Sequence, residues 1–211
     1  MQTTKISNGM KEIKLNKNNK IEVLQKAMEV LNNGGIIIYP TETSYGMGCD
    51  FYNKKACNKI YKIKKRNKKN PLSVLIPDMI TASSLVKFSE KSKRLAAHYW
   101  PGPLTLVLPY KYCKMQEHCD DYLALRVSDH VFAMDLVTNF GKPIVATSAN
   151  ISDNPSCYTA AEIYKQFKDA KIKPNLFINA GKLPKRNAST IIKFVDNKGE
   201  VLRQGDIKIK L

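Results

Sequence analysis

Two short groups of residues in this sequence have the chemistry of an anion-binding site. Lys64 and Arg66 are two positions apart, and Ser148-Ala149-Asn150 follows a short apolar segment. Lysine and arginine pair with phosphate and carboxylate groups, and serine and asparagine side chains form hydrogen bonds to the same groups. We therefore predict a single cleft that handles a nucleotide, with these two groups at its centre.

Each group also has a purely structural interpretation. Basic residues at the C-terminal end of a helix interact favourably with the helix dipole. This structural role would explain in part why Lys64 and Arg66 are present. Residues 148–150 could equally cap a helix. Acyl-enzyme chemistry at Ser148 is not predicted, because the sequence lacks the Gly-x-Ser-x-Gly elbow and its three histidines lie in unremarkable contexts.

A basic segment surrounds the first group. Between Asp50 and Asp78 the sequence has no acidic residue, whereas it has nine basic ones: Lys54, Lys55, Lys59, Lys62, Lys64, Lys65, Arg66, Lys68 and Lys69. The formal net charge of +17 gives an electrostatic reason to expect polyanionic partners. A lysine-rich composition spread over the surface would give only a solvated cationic exterior. That interpretation explains most of the net charge, but it explains the concentration of basic residues in this segment less well.

A glycine-containing loop at residues 40–48 is a further candidate for ligand binding. Its hydroxyl groups could form hydrogen bonds, and its glycines would let a ligand approach the backbone. Neither this loop nor residues 146–152 form a Walker A or Gly-x-Gly-x-x-Gly sequence, so the common nucleotide-binding folds are not supported.

Length and composition indicate one globular unit in the cytoplasm. With 211 residues, a single domain is the default. Residues 1–19 are polar, so we expect a loose lead-in before a single domain at 20–211. No apolar run approaches the roughly 20 residues needed to span a bilayer, and the N-terminus lacks the apolar core of a secretory signal.

The five cysteines predict reduced thiols, because an odd number argues against a closed disulfide framework. Cys113, His118 and Cys119 are close in sequence, but structural zinc normally has four ligands at recurring spacings. We therefore predict no metal site formed by the protein.

The hydrophobic pattern predicts strands alternating with helices and then a late hairpin. This order favours a twisted open sheet, mixed but mostly parallel, flanked by helices. Helices are predicted at 21–31, from Asn53 to Ile63, from Ser89 towards Trp100, at 131–140 and from Thr159, and strands at 36–39, 72–76, 104–108, 122–127, 144–146, 176–178, 190–194 and 201–203.

Several segments, taken in order, resemble the motifs of one family, the YrdC-domain L-threonylcarbamoyladenylate synthases. The resemblance extends from about residue 21 to 207 and is to the short, single-domain form, since the chain ends at Leu211. The matching segments are PTETSYGMGCD at 40–50, KIKKRNKKNPL at 62–72, WPGPLTLVL at 100–108, PIVATSANIS at 143–152, STII at 189–192 and LRQGDI at 202–207.

This resemblance implies a YrdC-like fold and an enzymatic function. The expected reaction is L-threonine plus bicarbonate or CO2 plus ATP, giving L-threonylcarbamoyladenylate and pyrophosphate, with Mg²⁺ accompanying ATP. The product would serve threonylcarbamoyladenosine formation at position 37 of tRNA. Downstream threonylcarbamoyl transferase proteins, and tRNA itself, are implied as partners.

The resemblance also implies roles for ten residues. Lys64 and Arg66 would be catalytic, and four residues would hold threonine: Thr43, Arg126, Ser148 and Ser189. The residues implied for ATP are Lys64, Arg66, Asn70, Asn150, Ser156 and Arg203.

Three positions depart from the family pattern. Ser128 stands where a proline is usual, Asp153 replaces a usual glycine, and Leu75 occupies a position where longer members carry a histidine that contacts threonine. These departures bear on substrate contacts rather than on the overall assignment.

Two other functions are compatible with the same resemblance. One is a non-catalytic module that binds tRNA or double-stranded RNA through a basic concave face. The other is a carbamoyl-transfer relative, like the YrdC-like part of hydrogenase maturation proteins. The intact Lys-x-Arg and Ser-x-Asn pairs argue against the first, and the absence of additional domains argues against the second.

Overall fold

Twelve strands and six helices are present in the computed structural model, which describes residues 5–7, 9–68, 70–112 and 121–209. The helices are α1 (Lys20–Asn32), α2 (Lys54–Lys64), α3 (Met79–Leu85), α4 (Glu90–Tyr99), α5 (Val131–Phe140) and α6 (Ala160–Phe167). The strands are β1 (Lys5–Ser7), β2 (Met10–Lys14), β3 (Ile37–Pro40), β4 (Tyr45–Gly48), β5 (Ser73–Leu75), β6 (Leu104–Pro109), β7 (Tyr122–Arg126), β8 (Ile144–Val145), β9 (Thr147–Ser148), β10 (Leu176–Asn179), β11 (Thr190–Val195) and β12 (Lys198–Arg203).

The strands form two six-stranded sheets, in the orders β1-β2-β10-β3-β4-β9 and β12-β11-β6-β7-β5-β8. Four of the ten strand pairs are parallel, so the prediction of a mixed α/β fold is confirmed, but the prediction of one mostly parallel sheet is wrong. Short connections are the physical reason. The chain turns back after β3 within four residues, and a connection that short can only join antiparallel strands.

The first sheet is covered on both faces. In β3, Ile38 packs into the apolar cluster that includes Ile60 of α2 and Ile163 of α6. Ile37 and Tyr39 face the opposite way, into the cluster formed with α1 and α5. A strand buried on both faces reads as a continuous apolar run, which is why the sequence Ile-Ile-Ile-Tyr identified this strand.

The predicted helix starts are confirmed. The side chains of Asn53, Ser89 and Thr159 each accept a hydrogen bond from the first turn of α2, α4 and α6, respectively. Thr159 forms a full capping box with Glu162, and Gly34 after α1 has φ +69°. These signals are local, so the sequence carries them without reference to the rest of the fold.

The expected loose lead-in is wrong for residues 10–14. This segment forms β2, which pairs in parallel with β10, and Met10 and Ile13 are buried. The prediction also missed α3, where Asp78 is the N-cap, and the short strands β4 and β9. The strands β4 and β9 pair with each other across about 100 residues, and such pairing outweighs a weak local pattern.

The two sheets meet at Ala146. This residue separates β8 in the second sheet from β9 in the first, and its N–H donates to the Ser73 carbonyl at 2.8 Å. The N–H of Val145 donates to the Cys49 carbonyl at 2.9 Å, which ties β8 to the end of β4. Residues 148–150 therefore lie at the junction of the sheets.

Among the described residues, none of the helices combines the length and the apolar character that crossing a lipid bilayer requires.

Candidate functional site

A cavity of about 730 Å³ is lined by strands of both sheets. The lining includes Gly46 and Ser148 from the first sheet and Thr105, Ala124 and Ile191 from the second. Eight of the ten residues assigned by resemblance line this cavity, from six separate parts of the chain: Thr43, Arg66, Asn70, Arg126, Ser148, Ser156, Ser189 and Arg203. The remaining two, Lys64 and Asn150, are not among its lining residues.

Strand alternation explains which side chains face the cavity. Thr105 and Val107 of β6 line it, whereas Leu104, Leu106 and Leu108 belong to the apolar cluster on the other side of the sheet. Successive side chains of a strand point to opposite faces. The run Leu-Thr-Leu-Val-Leu thus supplies both a core face and a cavity face.

The buried side chain of Lys64 holds the loop at residues 148–150. Its side chain is at the end of α2, the residue is 1% exposed, and Nζ donates to the Ser148 carbonyl at 2.5 Å and the Asn150 carbonyl at 2.7 Å. A third bond, of 3.0 Å, reaches Asn150 Oδ1. An ammonium has three N–H donors, so these oxygens match its full capacity.

The Asn150 side chain is also occupied within the protein. Its Oδ1 accepts a hydrogen bond from Ser148 Oγ at 2.6 Å, and its Nδ2 donates to the Asn154 carbonyl. The structure thus places Lys64 and Asn150 outside the cavity lining, where Lys64 holds the Ser148 carbonyl and Asn150 accepts from the Ser148 hydroxyl. Their assignment to the nucleotide phosphates stays a prediction.

Arg66 reaches the cavity because the helix α2 ends two residues before it, at Lys64. Lys65 has a left-handed backbone with φ +50°, which turns the chain after α2. Arg66 then donates from Nε to the Asn70 carbonyl at 2.9 Å and from Nη2 to the Pro71 carbonyl at 3.0 Å. These bonds fix the plane of the guanidinium and link it to the Asn70-Pro71-Leu72 segment.

A buried ion pair positions Arg126. Its Nη1 lies 2.9 Å from Oε1 of Glu42, and the two side chains are only 11% and 4% exposed, respectively. The hydroxyl of Ser128 donates to the other oxygen of Glu42. Ser128, which stands where the family usually has proline, therefore makes a specific contact. The sequence interpretation did not single out Glu42, although it lies within the segment PTET at 40–43.

Ser189 connects the residues implied for threonine with those implied for ATP. Its hydroxyl is 2.8 Å from Thr105 Oγ1, and Arg203 donates to its carbonyl from Nε at 3.0 Å and from Nη2 at 2.9 Å. Arg203 Nη2 also bonds to the Ser189 hydroxyl at 3.0 Å. A residue assigned to ATP is thus in direct contact with one assigned to threonine.

The cavity is strongly cationic. Desolvation of the Arg203 guanidinium, together with repulsion from Arg126 and Arg66, lowers its pKa below the usual value. Asp121 is the single acidic residue in the described lining. Three guanidiniums that repel one another favour an anion between them. The lining residues to which the sequence interpretation gave no role include Thr105, Tyr158, Arg186 and Lys193.

Metal ligands are not clustered in the part of the chain that the structure describes, which contains no group of three or more His, Cys, Asp or Glu side chains suited to a metal ion. Cys49, Cys57 and Cys157 are free thiols. The sequence-based consideration of Cys113, His118 and Cys119 concerns residues outside the described ranges.

Comparison with known proteins identifies the family. The Sua5/YciO/YrdC family model, described as telomere recombination, matches residues 29–205, which is most of the chain. The chain belongs to this family. The YrdC-like resemblance in the sequence is thereby confirmed.

Named relatives and solved structures agree with this assignment. A threonylcarbamoyl-AMP synthase of Buchnera aphidicola is 34% identical over 80% of this chain and 97% of its own length. One from Bacillus subtilis is 35% identical over 87% of this chain and 54% of its own length. The crystal structure of P. abyssi Sua5 complexed with L-threonine has a TM-score of 0.81 and 30% identity, covering 92% of this chain and 56% of that one.

Removing Glu42 should destabilise the protein, because Arg126 would then be a buried charge without a partner. We expect Glu42→Ala to lower the free energy of unfolding by about 3 kcal/mol, measured by urea denaturation. The matched control is Asp135→Ala, which removes the half-exposed ion pair with Lys20 and should cost less than about 1 kcal/mol. Equal losses would show that burial of the Glu42 pair has no energetic consequence.

The stability contribution of Lys64 should depend on pH. Burial and the nearby Arg66 lower the Lys64 pKa to about 7. Between that value and the ordinary lysine pKa near 10.4, the unfolded chain binds the proton and the folded chain does not. Stability therefore rises with pH across this window, by up to about 1.4 kcal/mol per unit.

The measurement is urea unfolding of the wild type and Lys64→Met at pH 6.5 and 9. The wild type should gain free energy of unfolding relative to the variant at the higher pH, because methionine cannot titrate. A difference that stays constant with pH would mean that the three oxygen acceptors keep Lys64 charged throughout.

Proposed function

We propose that this protein is an L-threonylcarbamoyladenylate synthase, a nucleotidyltransferase that uses L-threonine, bicarbonate or CO2, and ATP. Its products are L-threonylcarbamoyladenylate and pyrophosphate, and the former serves modification of tRNA at position 37. The observation that carries the proposal is one cavity in which hydroxyl groups and four arginines converge. The names of the two synthase relatives support it.

Threonine would lie on the Arg126 side of the cavity. The guanidinium of Arg126 is held by Glu42 on one edge, and a free edge can pair with a carboxylate. The hydroxyls of Thr43, Ser148 and Ser189 line the same cavity and can accept or donate hydrogen bonds to the amino acid. The P. abyssi Sua5 structure complexed with L-threonine supports threonine as a substrate.

The chemistry joins the three substrates in two steps. The neutral amine of threonine attacks CO2 and loses a proton, which gives a carbamate. A carbamate oxygen then bonds to the α-phosphorus of ATP as the bond to the bridging oxygen of the β-phosphate breaks, and the electron pair leaves with pyrophosphate. This step needs alignment and charge neutralisation more than a strong base.

The cationic side of the cavity fits the polyphosphate. Arg66, Asn70, Ser156 and Arg203 line it, and their guanidinium, amide and hydroxyl groups are donors suited to phosphate oxygens. Lys64 lies outside the lining and contributes by fixing the loop that carries Ser148.

Mg²⁺ would be brought by ATP. The described lining offers one carboxylate, Asp121, and Mg²⁺ is commonly held by substrate phosphates with only one or two carboxylates. The residues present therefore fit a metal that enters with the nucleotide, where it would neutralise phosphate charge. Binding of tRNA and of downstream transferase proteins remains a prediction from the resemblance.

Pyrophosphate release should require both threonine and bicarbonate. We expect the purified protein with ATP and Mg²⁺ to release pyrophosphate only when both co-substrates are present, measured by a coupled pyrophosphatase assay and mass spectrometry of the adenylate. Release that is equal without threonine would contradict the proposal. Absence of release together with tight, salt-sensitive RNA binding would favour a non-catalytic RNA-binding module.

Replacing Arg66 should reduce turnover strongly. Arg66→Ala removes a guanidinium at the phosphates, and loss of one charge-stabilising donor typically lowers kcat by about 100-fold or more. Arg94→Ala is the matched control, because Arg94 is an exposed arginine on α4 that does not line the cavity. Similar steady-state rates for the two variants would mean that Arg66 belongs only to a solvated basic surface.

A further inference from the structure

The cations of the cavity differ in how far the protein already uses them. The cationic lining residues are Arg66, Arg126, Arg186, Lys193 and Arg203. Four of them have partners: the three arginines described above are bonded to carbonyl, hydroxyl or carboxylate oxygens, and Lys193 Nζ lies 4.2 Å from the centre of the Tyr122 ring. Arg186 alone among these five has a guanidinium with no hydrogen bond or ion pair to a described residue.

The backbone of Arg186 is nevertheless fixed. Tyr158 Oη donates to the Arg186 carbonyl at 3.1 Å, and the Leu183 N–H donates to the Tyr158 carbonyl at 2.9 Å. Tyr158 thus holds the loop before β11 by two hydrogen bonds. The Arg186 side chain is exposed at the cavity, so an anchored backbone presents an uncommitted cation to the ligand space.

The surroundings of Arg186 place it on the nucleotide side. Tyr158, its direct contact, is two residues after Ser156, and both line the cavity. Arg203, which is assigned to ATP, donates to the backbone carbonyl of Ser189, three residues after Arg186. The buried pair of Glu42 and Arg126 lies on other segments, and no hydrogen bond or ion pair joins it to Arg186 within the described chain.

An uncommitted guanidinium is the strongest available partner for a departing polyphosphate. Arg66 and Arg203 each use Nε and Nη2 on protein oxygens, whereas Arg186 retains all five N–H donors of its planar group. Cleavage of the bond between the α-phosphorus and the bridging oxygen places additional negative charge on pyrophosphate. A cation at that position lowers the barrier by stabilising the charge as it forms.

We propose that Arg186 binds the outer phosphates of ATP and stabilises pyrophosphate as the leaving group. This inference rests on the proposed synthase function. Arg186 lies outside the sequence segments that carry the resemblance, so it extends the site beyond the residues implied by the family.

The test combines turnover with binding of inorganic pyrophosphate. We expect Arg186→Ala to lower kcat/KM for ATP by about 100-fold, to leave KM for threonine within about twofold, and to weaken pyrophosphate binding by about tenfold in calorimetry, as expected for one lost charge-assisted contact. Arg186→Lys should restore part of the binding. The matched control, Lys185→Ala, removes the neighbouring charge that does not line the cavity and should change neither quantity.

The outcomes separate this inference from the proposed function. If Arg186→Ala binds pyrophosphate as tightly as Lys185→Ala does, the assignment of Arg186 is overturned, whatever the effect on turnover. If the wild type forms no threonylcarbamoyladenylate, the synthase proposal fails. The comparison of pyrophosphate binding between the two variants still decides whether Arg186 is an anion ligand.

Discussion

The candidate site depends on one buried side chain, the amino group of Lys64. Three hydrogen bonds from Nζ hold the Ser148 carbonyl and two oxygens of Asn150, and this joins the end of α2 to the junction of the two sheets. Such a group is costly to bury unless each donor has an acceptor. The same bonds explain why the loop at 148–150 has a defined shape without belonging to a helix.

Three arginines of the cavity, Arg66, Arg126 and Arg203, are held in place by protein oxygens before any ligand arrives. Arg126 is fixed by Glu42, and Arg203 by Ser189, so their positions do not depend on the substrate. Preorganised charge is effective in catalysis because little reorganisation is needed when negative charge develops. The mutual repulsion of Arg66, Arg126 and Arg203 is the electrostatic cost of this arrangement, and an anionic substrate relieves it.

Several features of the fold were predictable because their signals are local. The caps at Asn53, Ser89 and Thr159 need only the residues of one helical turn, and the apolar run before Pro40 identifies a strand buried on both faces. The two-sheet arrangement was not predictable in this way. It depends on pairings such as β2 with β10, which join residues more than 160 positions apart.

The sequence by itself determined the family, the mixed α/β class and the residue types of an anion site, because long motifs in a fixed order and local helix signals do not require coordinates. Only the tertiary structure decided which of those residues reach one cavity. It placed Lys64 outside the cavity lining, paired Arg126 directly with Glu42, whose other oxygen accepts from Ser128, and brought Arg186 to the cavity. Burial and pairing depend on distant segments packing together, and no local pattern records that packing.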